Sequence, residues 1–205
     1  MHVLLLNGSP NAEGCTFTAL SEIAATLKAE NITSEIFQLG KKPVRGCIAC
    51  GACRERGACA FQDDALPVLV EAAKRADGIV IGSPVYYAGP NGALCALLDR
   101  FFFSSGNLLK FKPGAAVVSC RRGGASAAFD RLNKYFTINQ MPVASSQYWN
   151  SVHGFTPDDV RKDAEGLQTM RTLAHNLARM LRMEAVTPQR TDEEEHLWTS
   201  FHDGK

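Results

Sequence analysis

Short apolar runs alternate with amphipathic stretches along most of the chain. Largely apolar runs occupy residues 3–6, 78–82 and 115–119. Runs of this kind are typical of strands that are buried on both faces of a parallel sheet. Residues 34–39 alternate between apolar and polar side chains and predict a more exposed second strand, while residues 142–144 predict a fifth.

The intervals between these strands carry apolar residues at helical spacing. Helices are predicted over residues 16–30, 89–103 and 125–135, and over a stretch that follows Asp63 and Asp64. Ser83-Pro84 is expected to end the third strand, and Pro90 to lie near the start of the helix after it. Thr156-Pro157 predicts the start of one long amphipathic helix that runs to about residue 183.

Strands that alternate with helices predict an α/β fold, in which a parallel sheet is doubly wound with helices on both faces. Residues 1–183 are expected to form this domain, with a cysteine-rich loop at 46–59 inserted into it. Residues 184–205 are expected to form a polar, acidic C-terminal tail. Such sheets bind ligands beyond the carboxyl ends of their strands, so we expect the site in the loops after the first, third and fourth strands.

Composition narrows the class of protein further. The chain has 205 residues, 45% hydrophobic and 21% charged residues, and a net charge of +1, which favours one globular domain with no affinity for nucleic acid or an anionic membrane. No apolar run is long enough to cross a bilayer, and the first residues do not resemble a signal peptide. A cytoplasmic location with reduced thiols is therefore expected.

The loop after the first strand has the components of a phosphate site. It offers hydroxyl, amide and thiol groups and a flexible backbone just before a predicted helix N-terminus, at Ser9, Asn11, Gly14, Cys15 and Thr16. It matches neither the Walker pattern nor the G-x-G-x-x-G dinucleotide pattern. An ordinary strand-to-helix turn is the alternative interpretation.

The next two loops could flank a flat ring and its polar edge. Pro84, Val85, Tyr86 and Tyr87 follow the third strand, where two tyrosines either flank a ring or divide between core and surface. A second group closes the fourth strand and its loop: Ser119, Arg121, Arg122, Gly123 and Gly124. The paired arginines suit an anionic ligand, although a solvated basic turn is the alternative.

These three loops, together with Leu98-Asp99-Arg100, resemble the NADPH-dependent FMN reductase family of flavodoxin-like proteins over residues 1 to about 183. The resemblance implies a five-stranded parallel sheet in the order 2-1-3-4-5 and non-covalently bound FMN. It also implies that the first loop holds the phosphate, the second lies along the flavin ring, and Ser119 to Gly124 touch the polar edge of the ring. A homodimer or homotetramer is implied as well, and the aromatic residues Tyr148, Trp149 and 101–103 favour such an interface.

Four of the seven cysteines, Cys47, Cys50, Cys53 and Cys59, lie within the loop at 46–59. The first three are spaced as in ferredoxin cluster motifs, although the fourth gap is longer and no proline follows. The loop resembles the compact motif of iron–sulfur flavoproteins in the same wider family, and a [4Fe–4S] cluster is the first interpretation. Structural zinc, a disulfide and free thiols are the alternatives.

The expected function is that of an oxidoreductase with NAD(P)H as co-substrate. FMN carries the hydride chemistry, and no catalytic side chain can be nominated from spacing. Electrons would pass to a small-molecule acceptor such as a quinone, a nitro compound or a free flavin, or through a cluster to a redox protein. A non-enzymatic electron carrier or redox sensor that uses the four cysteines is the alternative.

Overall fold

The computed structural model describes residues 1–187, 194, 195, 197 and 199. Its strands are β1 (His2–Asn7), β2 (Thr33–Gln38), β3 (Gly78–Tyr86), β4 (Gly89–Pro90), β5 (Gly114–Cys120) and β6 (Ser151–His153). Five of them are parallel, in the order β2-β1-β3-β5-β6, and β4 pairs only with β3, in the antiparallel sense. The predicted doubly wound parallel sheet and its strand order are confirmed.

Helices cover both faces of the sheet. They are α1 (Cys15–Ala29), α2 (Ala52–Arg56), α3 (Leu66–Arg75), α4 (Gly92–Ser105), α5 (Ala125–Ile138), α6 (Pro157–Lys162) and α7 (Ala164–Val186), with a 3₁₀ turn at Gly106–Leu109. Successive residues of β1 point to opposite faces. Leu4 and Leu6 join the core under α3, α4 and α5, while Val3 and Leu5 join the core under α1 and α7. None of the described helices is long and apolar enough to cross a bilayer.

The third strand and fourth helix differ from the sequence prediction. Ser83-Pro84 does not end β3, which continues to Tyr86 and turns back through β4. Ser83 Oγ accepts a hydrogen bond of 3.0 Å from the Asn91 N–H and so joins the two ends of this hairpin. Pro90 lies in β4, and α4 begins after Asn91 because its side chain accepts from the Ala93 N–H.

Two further predictions about elements were wrong. Residues 142–144 contribute only an isolated bridge between Val143 and Gly114, and the fifth parallel strand is β6. The predicted long helix divides at Asp163, whose carboxylate accepts from the Gly166 N–H at 2.9 Å and caps α7. A short polar side chain that can bond the backbone in this way favours a new helix start over continuation. Most of the predicted acidic tail lies outside the described residues.

Candidate functional site

The loop after β1 is folded by polar side chains at the ends of two neighbouring strands. Asn7 is fully buried, and its Nδ2 donates to Gln38 Oε1 at 2.6 Å and to the Ala12 carbonyl at 3.4 Å. Gln38 Nε2 donates in turn to the Ser9 carbonyl at 2.7 Å. Neither residue was predicted from the sequence, although each is a polar residue that ends its strand.

The predicted phosphate-binding residues lie together in this loop. Ser9 is buried, and its Oγ accepts a hydrogen bond of 3.1 Å from the Asn11 N–H. Gly14 precedes α1, and within the described chain no side chain caps this helix N-terminus. The first-turn N–H groups and the positive end of the helix dipole therefore face the loop, as an anion requires.

A cleft of about 500 Å³ runs beside this loop. Asn11 and Gly14 line it from the loop, and Gln38 and Lys41 line it from the end of β2. Lys41 supplies a cation that the first loop itself lacks, and Glu13 of the loop lines the same cleft. Sequence reasoning missed this lysine because it follows a different strand, and only the neighbouring positions of β1 and β2 reveal it.

The first and third loops are joined directly. The hydroxyl oxygens of Thr16 and Ser119 are 2.8 Å apart, and both side chains are buried. The Cys15 thiol lies against the Gly154 carbonyl, with a sulfur–oxygen distance of 3.8 Å. Burial raises the pKa of this thiol, which keeps Cys15 protonated and makes it a weak donor.

The second loop forms a tight hairpin with two tyrosines. Tyr87 and Ala88 form its tip with φ angles of +50° and +58°, a left-handed turn that side chains adopt at a cost. Tyr87 is fully exposed and Tyr86 about half exposed. Neither tyrosine therefore packs in the core, and both side chains lie at the surface.

The third loop packs against this hairpin through a glycine. Gly124 has a φ of +90°, and a Cβ built on it would lie 2.8 Å from Ala88 Cα. Gly123, Arg121 and Arg122 are exposed beside it, before α5 begins. Pro84 and Val85 lie in β3, so the predicted ring-contacting and edge-contacting residues share one edge of the sheet.

All four predicted ligand cysteines line a cavity of about 200 Å³ between the cysteine loop (residues 46–59) and the C-terminal half of α4. All are free thiols; Cys47 and Cys50 are exposed, and Cys53 and Cys59 are partly buried. Among the described residues, no three His, Cys, Asp or Glu side chains converge on a single metal position.

The cysteine loop also provides N–H donors to sulfur. The Ala49 N–H donates to Cys47 Sγ at 3.4 Å, in a turn where Ala49 and Gly51 both have positive φ. Arg100 Nε donates to Cys59 Sγ at 3.4 Å. Four thiols around one cavity, with N–H groups aimed at two of the sulfurs, fit the donor set of an iron–sulfur cluster.

The aromatic residues that suggested an interface divide between core and surface. Phe101 and Phe102 are buried in the core, so their large side chains serve packing and not an interface. Phe103 is exposed, and so are Tyr148 and Trp149, whose ring centroids are 5.2 Å apart. Only these three retain the surface position that an interface requires.

Solved structures share this architecture at low sequence identity. RosB, solved with a bound 8-demethyl-8-formylriboflavin-5′-phosphate intermediate, has a TM-score of 0.73 at 14% identity, covering 98% of this chain and 92% of RosB. FerB from Paracoccus denitrificans, an NAD(P)H:acceptor oxidoreductase, has a TM-score of 0.67 at 13% identity, covering 89% of this chain and 98% of FerB. These similarities confirm the flavodoxin-like fold.

Sequence comparison gives the family. An iron–sulfur flavoprotein of Methanocaldococcus jannaschii is 33% identical over 191 residues, covering 89% of this chain and 98% of the relative. An iron–sulfur flavoprotein of Methanosarcina thermophila is 30% identical, covering 89% of this chain and 96% of the relative. The sequence model of NADPH-dependent FMN reductase matches residues 1–156. The chain therefore belongs to the NADPH-dependent FMN reductase family.

Proposed function

We propose that this chain is an FMN-dependent oxidoreductase that uses NADH or NADPH as electron donor and carries a [4Fe–4S] cluster in the cysteine loop. The observation that carries the flavin site is the meeting of three loops at one edge of the sheet. Thr16 bonds Ser119 across the first and third loops, and Gly124 packs on Ala88 across the third and second. Family membership supports FMN as the ligand of this edge.

The first loop would hold the phosphate of FMN. Ser9, Asn11 and Thr16 offer polar side chains, and Gly14 and Cys15 offer backbone N–H groups at the start of α1. Gly8 lets this loop lie close to both β3 and α4. Its N–H donates to the Gly82 carbonyl of β3 at 2.8 Å, and a Cβ built on it would lie only 2.4 Å from a methyl of Leu94 on α4. Lys41 lines the cleft beside the loop and would add its positive charge to that of the helix N-terminus, while Glu13 lines the same cleft and partly offsets it.

The second and third loops would hold and shield the flavin ring. Val85, Tyr86 and Tyr87 present apolar and aromatic surface, and the backbone from Ser119 to Gly124 presents polar groups to the edge of the ring. Bound FMN would supply hydride acceptance from the nicotinamide and electron release to an acceptor, which is chemistry that the flavin itself carries. The residues therefore act by positioning the ring and excluding water, and no proton-transfer side chain is assigned.

The cysteine loop would be a separate electron-transfer site. Cys47, Cys50, Cys53 and Cys59 would ligate the cluster, which supplies one-electron chemistry when bound. The curated relatives carry iron–sulfur flavoprotein in their names, which supports this assignment. The acceptor proposed is a quinone, a nitro compound or a free flavin, or a one-electron protein partner reached through the cluster.

One purification tests the cofactor proposal. Protein prepared without oxygen is examined by absorption spectroscopy, and FMN, iron and acid-labile sulfide are assayed on the same sample. We expect one FMN and about four irons per chain. Flavin without iron would overturn the cluster, and a colourless protein that takes up no added FMN would overturn the flavin site.

A turnover assay tests the activity. We expect steady oxidation of NADH or NADPH when a quinone or a nitro compound is added to the holoprotein. A flavin that is reduced only by a protein donor, with no turnover of either nicotinamide, would contradict the proposed enzyme and favour an electron carrier.

A further inference from the structure

Arg100 is a charged side chain in an unusual position. It lies on α4, roughly 12 Å along the helix axis from its first residue by helical rise, and only 2% of its surface is exposed. A buried charge is costly unless it is paired and its donors are satisfied. The partners of Arg100 are therefore informative about what this charge does.

Those partners close the cysteine loop from both sides. Arg100 Nη1 donates to the Arg45 carbonyl at 3.2 Å, just before the loop. Its Nη2 donates to the Phe61 carbonyl at 2.8 Å, just after the loop. One planar guanidinium thus joins both ends of the segment that carries all four cysteines, a geometry that lysine cannot reproduce.

Asp64 balances the charge of Arg100. Its two carboxylate oxygens accept from Nη1 and Nη2, and Oδ1 also accepts from the Leu66 N–H at 3.1 Å at the start of α3. The remaining guanidinium donor, Nε, points to Cys59 Sγ at 3.4 Å. Asp64 therefore fixes the outer edge of the guanidinium while the Nε–H faces the cysteine cavity.

We infer that Arg100 is a positioning residue of the cysteine loop, which holds the four thiols around their cavity and raises the reduction potential of a cluster bound there. This inference rests on the cluster in the proposed function. Reduction adds negative charge to a cluster, and a charged N–H donor to one of its sulfurs stabilises the reduced form. Asp64 opposes this effect, because its negative charge lies on the other side of the same guanidinium.

The two residues predict shifts of opposite sign. Arg100→Met removes the charge and the donor, so the midpoint potential of the cluster becomes more negative. Asp64→Asn keeps the shape and an acceptor for Leu66 but removes the negative charge, so the potential becomes more positive. A purely structural role would loosen the loop in both variants and would not separate them by sign.

The experiment uses holoprotein reconstituted with iron and sulfide without oxygen. The midpoint potential is measured by redox titration followed by electron paramagnetic resonance, and iron release to a chelator is timed. For Arg100→Met we expect roughly 10- to 100-fold faster iron release, the usual effect of losing an outer partner of a metal site. Arg100→Lys keeps the positive charge but not the planar group that bonds Arg45 and Phe61. Its potential therefore stays closer to that of the wild type, while its iron release is faster.

Arg131→Met is the matched control, since Arg131 bonds Asp99 and Tyr135 and does not line the cysteine cavity. It should change neither reading. Circular dichroism and FMN binding, which uses other loops, verify that each variant is folded. If Arg100→Met does not fold, Arg100→Lys and Asp64→Asn provide the same test.

The outcomes separate this inference from the proposed function. A wild-type chain that takes up no iron and sulfide removes the cluster and the role of Arg100 together. If the wild-type chain holds its cluster, an unchanged potential in Arg100→Met overturns the role of Arg100 alone. Unchanged iron release in Arg100→Lys does the same. A shift of Asp64→Asn to a more negative potential would also overturn it.

Discussion

Thr16 and Ser119 hold the first and third ligand loops together through one hydrogen bond, with 2.8 Å between their hydroxyl oxygens. The two residues are far apart in the chain, at the start of α1 and near the end of β5. Both are buried, so each hydroxyl depends on the other for a partner in the absence of a ligand. The same bond therefore stabilises the FMN-free protein and keeps the first and third loops together.

Thr16→Val should weaken both stability and FMN binding. It leaves the buried Ser119 hydroxyl without this partner, at a cost of about 1–3 kcal/mol in the free energy of unfolding. Urea unfolding of the FMN-free protein and fluorescence titration with FMN measure the two effects. The double variant Thr16→Val, Ser119→Ala should recover part of the stability but not of the binding. Stability losses that simply add would contradict the coupling.

Gly124→Ala should disturb the flavin loops through sterics alone. The new Cβ would meet Ala88 Cα at 2.8 Å, on a backbone with a φ of +90°. The conformation by itself costs about 1–2 kcal/mol for a residue with a side chain. We expect lower stability in urea and weaker FMN binding. Gly123→Ala is the control for stability, since a Cβ there meets no other atom of the protein within 4 Å; equal losses of stability in the two variants would contradict the proposed contact.

The sequence was sufficient for the fold because burial on both faces of a sheet imposes long apolar runs. The strands β1, β3 and β5 and the site loops that follow them could be predicted in this way. The break at Asp163 could not, because the apolar spacing continues through it and only the hydrogen bond to the Gly166 N–H shows that a new helix starts there. The path of β3 beyond Ser83 was also missed. A Ser-Pro pair usually ends a strand, but here the hydrogen bond between Ser83 and Asn91 holds the chain in a hairpin that extends β3.

The candidate site shows the same division. Residues within one loop, such as Ser9, Asn11 and Thr16, are recognisable from local spacing. Partners supplied by other elements are not, because nothing in the spacing tells which loop a side chain will meet. Lys41 and Arg100 belong to this second group. Only the folded structure shows that Lys41, after β2, lines the cleft beside the first loop and that Arg100, on α4, bonds the cysteine loop.

Tyr135 should make the protein sensitive to alkaline pH. Burial, together with a hydrogen bond to Asp99 and the charge of Asp99, raises the pKa of Tyr135 well above its usual value of 10. Because the folded pKa is the higher one, the stabilisation is fully present below pH 10 and is lost as pH rises towards the folded value. Unfolding then releases a proton, and the free energy of unfolding falls by up to about 1.4 kcal/mol per pH unit.

Comparison with Tyr135→Phe isolates this effect. Urea unfolding between pH 9 and pH 11.5 should show a steeper loss of stability in the wild-type protein than in the variant, since phenylalanine has no proton to release. Parallel curves for the two proteins would contradict a raised pKa at this residue.

Tyr148 and Trp149 are expected to contribute to a subunit interface. Both are more than half exposed and lie in contact with each other, and paired aromatic residues of this kind are enriched at interface cores. Light scattering should give the mass of a dimer or tetramer, and Trp149→Glu should lower it. Val68→Glu is the control, since Val68 is an exposed apolar residue on α3. A monomeric wild-type protein would contradict the prediction.

Cys50→Ala should remove the iron and keep the FMN. Cys50 lines the cysteine cavity and lies in none of the three loops at the flavin edge, so its loss leaves the flavin contacts in place. Iron, sulfide and FMN are assayed on protein purified without oxygen. Cys95→Ala is the control, since Cys95 lies on α4 away from that cavity and should keep both cofactors. Loss of FMN from a folded Cys50→Ala protein would show that the two sites depend on each other, and full retention of iron would show that Cys50 is not a ligand.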